Sequence, residues 1–200
     1  MIDNLEQIKQ LLNFENEGDF YMLYVFKRKK DQPEGERDNH QSVRTIKTYC
    51  VDSVEYLEKR YDEIKQLCEM FKARAYIHVQ KQNHKDVSLE MMMSLAERIK
   101  NGQHIQKGLF DSVVGQIKTH EKRWIVDIDT KDNKEILNIK LKIDSCQPFG
   151  KDKIIAEIPT KNGYHLITEK FDVMEFAKHF PNTEIQKKNP TLLFLPESLS

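Results

Sequence analysis

The chain has 200 residues, with 32 lysines and arginines set against 32 aspartates and glutamates. That length supports one substantial core or two small modules sharing an interface, and the balanced charge means that any nucleic-acid or membrane site must be a local patch. Cys50, Cys68 and Cys146 show no paired spacing, so the pattern offers neither a disulfide framework nor a zinc motif. No apolar run reaches membrane-spanning length, and Asp3, Glu6 and Lys9 interrupt any leader-like stretch, so a soluble, cytoplasmic protein with no membrane partner is expected.

The first half reads as an α/β module over residues 1–119. Ile2, Leu5, Ile8, Leu11 and Leu12 recur at helical spacing. Phe20 to Phe26 is an aromatic, apolar strand running into Lys27-Arg28-Lys29-Lys30, and Val43 to Cys50 reads as its hairpin partner across a long basic tip. Asp52 or Ser53 caps a helix to about Phe71, followed by a strand from Ala73 to Val79 and a second strong helix from Val87 to Ile99. Met91, Met92 and Met93 in that helix read as core filler. A shorter helix spans Gly108 to Ile117.

Residues 120–200 carry the chemistry. Arg123 to Ile128 is a strand whose end holds two acids one residue apart, Asp127 and Asp129. A strand's period of two puts both carboxylates on one face, and a hard cation, Mg²⁺ or Mn²⁺, is the natural partner for such a pair. Alone, such a pair is more often a strand running out into a polar turn. After it come a helix over Lys134 to Ile143 capped by Asn133, strands at Lys153 to Ile158 and Tyr164 to Thr168, a helix at Asp172 to His179, and a final strand at Thr191 to Leu195. The order β-α-β-β-α-β is that of a ferredoxin-like, RRM-like unit with strand order 4-1-3-2, so the expected fold class is α+β, with this unit packed on the N-terminal module. In that order the starts of the third and fourth strands flank the acids, which brings His165 and the Lys187-Lys188-Asn189 segment to them. Gly163 allows close backbone approach in the turn Pro159 to Gly163, and Thr160, Lys161 and exposed amides supply phosphate donors. Asp127, Asp129 and His165 are thus the candidate catalytic residues, the two acids the metal ligands, and Thr160, Lys161, Gly163, His165 and Lys188 the nucleotide-binding set.

These residues resemble the archaeo-eukaryotic primase and primase-polymerase superfamily. Ile-Val-Asp127-Ile-Asp129 is similar to its first motif, and Thr160-Lys-Asn-Gly163-Tyr-His165 to its second, with one helix and one strand between them. The resemblance covers about residues 120 to 195. It implies an RRM-like catalytic palm, a nucleoside triphosphate substrate, Mg²⁺ or Mn²⁺, a single-stranded DNA or RNA template, replication partner proteins, and a role in nucleic-acid replication or repair. One feature departs from the pattern. The family's third motif is a strand-borne acid, whereas Asn189-Pro-Thr-Leu-Leu-Phe-Leu-Pro196 begins without one, with Glu184 upstream and Glu197 beyond. Asn189 offers at most a neutral oxygen.

Other readings stand beside this one. A non-catalytic single-strand-binding protein would use sheet aromatics to stack bases and Lys27, Arg28, Lys29, Lys30, Arg74 and Lys81 to follow phosphates, with Lys72, His84 and Lys85 nearby. Phosphatases of the haloacid dehalogenase type also open on Asp-x-Asp, but their pattern needs a threonine where Lys131 stands. A structural protein with a coincidental Asp-x-Asp is the last.

Overall fold

A computed structural model describes residues 1–32, 43–103, 108–117, 119 and 121–199. Among the described residues, two antiparallel sheets and six α-helices make an α+β fold. The first sheet contains β1 (Ile2–Asp3), β2 (Asp19–Arg28), β3 (Val43–Val51), β4 (Arg74–His78), β5 (Gln82–Asn83) and β10 (Pro190–Leu195). Its order is β1-β10-β4-β2-β3, and β5 pairs with the start of β2. The apolar run in β2 is continuous because both faces are covered. Tyr21, Leu23 and Val25 face one core with α1 (Leu5–Leu11) and α2 (Val54–Phe71), while Phe20 and Met22 face another with α3 (His84–Lys100) and α4 (Leu109–Gln116).

Helix boundaries follow their caps. The Ser53 hydroxyl accepts from the Tyr56 amide to start α2, whose buried stripe is Leu57, Tyr61, Ile64 and Cys68. In α3 only Val87 is fully buried, and of the three methionines only Met91 packs on the core. Met92 and Met93 are exposed, which corrects the reading of the whole run as filler. The apolar character of three consecutive residues cannot all face one side of a helix.

The second sheet is β7-β8-β6-β9, from β6 (Trp124–Ile128), β7 (Ile154–Pro159), β8 (Tyr164–Thr168) and β9 (Glu184–Gln186). Trp124, Val126 and Ile128 turn to α5 (Asn133–Ser145) and α6 (Val173–Ala177); Ile125, with Ile158 and Ile167, turns to the core of the first sheet. Asp132, not Asn133, caps α5 by accepting from the Lys134 amide.

The expected strand order holds from β6 onward, but its fourth strand is Glu184–Gln186 rather than the run beginning at Thr191. The Thr191 run is β10, which leaves the second sheet and pairs with β4 and β1 in the first. A division at residue 120 therefore does not separate the two sheets. Longer apolar strands gain more from a central position, and β10, with five buried residues, fills one.

The sheets are braced together. The buried Asn4 donates through Nδ2 to the Pro159 carbonyl of β7 and the Leu192 carbonyl of β10, both at 2.9 Å. Gln80 donates to the carbonyls of Arg123 and Lys187, and the Arg123 guanidinium donates to the Leu11 carbonyl at 2.8 Å. Among the described residues no helix is long and apolar enough to cross a membrane. Because β10 lies inside the first sheet, a fragment of residues 1–119 is expected to stay unfolded, with little amide dispersion by NMR, while the full chain gives a dispersed spectrum. A well-dispersed fragment would show that β10 is dispensable.

Candidate active site

The register of the second sheet writes the site. Asp127 lies opposite His165 on β8 and opposite Glu184 on β9, and His165 in turn lies opposite Ile158 on β7. Directly opposed residues in antiparallel strands point to the same face with Cβ atoms about 5 Å apart. One row across the sheet is therefore Ile158, His165, Asp127, Glu184, with Asp129 just past the end of β6. A further acid, Glu184, thus stands next to Asp127 on a three-residue strand. Asn189, the proposed substitute, lies before β10 on the first sheet.

The turn after β7 is closed by its own atoms. Thr160 donates its amide to the Gly163 carbonyl at 2.9 Å, and its hydroxyl oxygen accepts from the Gly163 amide at 3.2 Å. That amide is therefore engaged and not a free phosphate donor. Gly163 is required by close approach: a Cβ there would sit 1.9 Å from the Ile128 carbonyl oxygen and 2.8 Å from that of Thr130. The turn rests directly on the backbone that carries the two acids.

A cleft of about 210 Å³ opens between the sheets. Asp127, Asp129, His165 and the turn residues Thr160 to Asn162 line one side; Arg28, Arg74, Tyr76 and Leu192 line the other. Asp31 organises the cationic wall. Its carboxylate accepts from Arg74 through two hydrogen bonds of 2.8 Å and from Arg28 at 3.2 Å. Such a bidentate pair fixes both partners. Asp31 is held below the usual carboxylate range because these bonds outweigh its burial.

Electrostatics single out Asp127. Burial, then the charges of Asp129 and Glu184, push its carboxyl up to about 6, with Arg28 pulling the other way. The Gln186 amide reaches it only at 3.4 Å. His165 is 8% exposed, and burial lowers its imidazole to about 4, against a smaller opposing pull from Asp129. It is therefore a neutral hydrogen-bonding group at neutral pH. Its Nδ1 is 2.9 Å from Thr191 Oγ1, and its Nε2 is 3.6 Å from Asp127 Oδ1.

Among the described residues no three His, Cys, Asp or Glu side chains enclose an ion by themselves. An open pair of carboxylates nevertheless suits Mg²⁺, which is held by one or two carboxylates with water and substrate phosphates completing the shell. The donor set is all oxygen, and Asp127 is destabilised as an anion by its neighbours, so a cation would relieve the site. Asp127 and Asp129 fit as its ligands, and Glu184 is the register partner of Asp127 on the adjacent strand.

Several sequence-based assignments change. Lys188 donates to the Gly115 carbonyl at 3.0 Å and turns away from the cleft. Its approach was inferred from a fourth strand that belongs to the other sheet. Lys161 lines the cleft while its amine donates to the Leu199 carbonyl. Arg74 is buried against Asp31, so it does not follow a phosphate backbone. Lys81 pairs with Asp19 at 3.1 Å and Glu15 at 3.5 Å, at the opposite end of β2 from Arg28. Nine residues of strand separate those ends by roughly 30 Å. Lys27 and Arg28 are half-buried and Lys29 is exposed; the Lys30 side chain and residues 33–42 of the basic tip lie outside the described residues.

Two measurements follow. Gly163→Ala should cost about 2 kcal/mol or more in urea unfolding, since the obstructing atoms are backbone. Asp127→Asn should stabilise the metal-free chain at pH 8 by on the order of 1 kcal/mol, after discounting the two-unit shift for partial exposure. The sign follows from linkage: a carboxyl that holds its proton more tightly when folded loses stability as pH rises from its unfolded value near 4 through 6. The gain from Asn should therefore fade towards pH 4, and a loss at pH 8 would contradict it.

Comparison with known protein families, with curated proteins and with solved structures finds no match for this chain.

Proposed function

We propose that the chain is a metal-dependent nucleotidyltransferase of the primase-polymerase type, using Mg²⁺ or Mn²⁺ and a nucleoside triphosphate in nucleic-acid replication or repair. In this reading β6 to β9 with α5 and α6 form an RRM-like palm, packed on the N-terminal α/β module. One observation carries most of the weight: Asp127 and Asp129 line one wall of a cleft whose other wall carries Arg28 and Arg74, and Glu184 is the register partner of Asp127 on β9. Two carboxylates facing arginines across a cleft, with a third acid on the adjacent strand, fit a metal-bound polyphosphate better than a neutral or cationic ligand.

The reaction joins a nucleophilic hydroxyl oxygen to the α-phosphorus and breaks the bond to pyrophosphate, which leaves. Bound metal would neutralise the developing negative charge on the phosphoryl oxygens. The chain's own part is positioning. Asp127 and Asp129 would hold the ion, with Glu184 steadying the water or ion at its side. The neutral His165 donates a hydrogen bond, the Thr160–Gly163 turn fixes the floor, and Arg28 supplies positive charge from the opposite wall. The partner strand is a single-stranded DNA or RNA template.

The test is thermal. Mn²⁺ with a nucleoside triphosphate at about one hundred times Kd should raise Tm by roughly 5 °C or more. Asp127→Asn and Asp129→Asn should each abolish the shift, and Glu184→Gln should weaken binding about tenfold, the loss of one charged contact. His165→Ala should weaken triphosphate binding while Mn²⁺ alone still binds. An undiminished shift in both aspartate variants would sink the proposal. No shift at all, together with salt-steep binding of single strands, would favour the non-catalytic binding protein instead.

A further inference from the structure

We infer that Thr191 is a positioning residue for His165: its hydroxyl donates to Nδ1 and holds the imidazole as the tautomer whose Nε2–H faces the cleft. The role of that N–H, donation to a triphosphate oxygen, rests on the function proposed above; the tautomer itself does not.

The geometry restricts the choices. A neutral imidazole has one donor and one acceptor nitrogen. Nδ1 meets a hydroxyl at 2.9 Å, a group able to give or receive, whereas Nε2 lies on the cleft side, 3.6 Å from an Asp127 carboxyl oxygen and beyond hydrogen-bond range. With the proton on Nδ1, two acceptors would face each other across the cleft wall. With it on Nε2, the threonine donates to Nδ1 and the N–H faces the cleft, free for a ligand oxygen.

Thr191 is placed to do this from the other sheet. It is fully buried and sits opposite Ile77 in the β10–β4 ladder, so its backbone is fixed by main-chain bonds. The Asn4 amide clamps the neighbouring Leu192 carbonyl to the Pro159 carbonyl of β7, which sets the spacing between the two sheets beside this contact. The relevant strand start thus reaches the site after all, bringing a hydroxyl to the histidine instead of an acid to the metal.

The first test is ¹⁵N NMR of the histidine rings in the whole wild-type chain at neutral pH. His165 should show a protonated Nε2 and an unprotonated Nδ1; the reverse assignment would overturn the inference. The second is binding of Mn²⁺ with a nucleoside triphosphate. Thr191→Val, similar in shape but without a donor, should weaken it about tenfold, and Thr191→Ser should recover most of the loss. In a His165→Ala background Thr191→Val should cost nothing further. An equal loss in both backgrounds would show that Thr191 acts through packing alone and would overturn the inference. If wild-type chain binds no nucleotide, the proposed function fails, and the tautomer measurement still decides the role of Thr191.

Discussion

Among the described residues, Asp127 is the carboxylate that its surroundings make hardest to keep ionised. It is partly desolvated between two sheets, next to Asp129 and opposite Glu184, with a neutral histidine in place of a cation on its other flank. Burial and the two neighbouring acids all oppose its charge. The apolar interior would be served as well by any residue that continues the alternation of β6, and an amide at position 127 would relieve the repulsion. A carboxylate held at such a cost in a cleft is the kind of perturbed group that clusters at functional sites.

The rest of the architecture can be understood as support for that arrangement. Gly163 lets the β7–β8 turn rest against the Ile128 and Thr130 carbonyls, in direct contact with the backbone that carries the acids. Asp31 fixes two arginines on the facing wall, one of them buried, which keeps positive charge near the acids without allowing it to collapse onto them. Asn4, Gln80 and Arg123 cross between the two sheets. The Asn4 contact to the Leu192 carbonyl is buried, so separating it would leave polar groups unmatched.

Much of this was legible in the sequence because it rests on period and punctuation. The alternation of Ile125, Val126, Asp127 and Ile128 fixed the face of the acid, and Gly163 before Tyr164-His165 marked the close approach. The strand order of the second sheet followed from element order alone. The fourth strand did not, because Glu184–Gln186 is too short to show a pattern, whereas Thr191 to Leu195 shows a strong one. Apolar strength says that a run is buried, not which sheet buries it. Taking the stronger run as the fourth strand removed Glu184 from the site, brought Lys188 into it, and hid the pairing of Thr191 with His165. The Asp31 clamp was equally hidden, since Arg28, Asp31 and Arg74 meet only once β2 and β4 are paired. A basic cluster in sequence had looked like a nucleic-acid surface; in the fold its arginines are partnered.

The central claim is that Asp127, Asp129 and Glu184 form one metal-binding edge. It is tested most directly by anomalous diffraction from crystals of the wild-type chain grown with Mn²⁺ and a non-hydrolysable nucleoside triphosphate. The account predicts a manganese peak touching the carboxylates of Asp127 and Asp129, with phosphate oxygens completing its shell and Glu184 on the same side. A well-occupied triphosphate elsewhere, or a manganese ion that leaves these acids untouched, would contradict it.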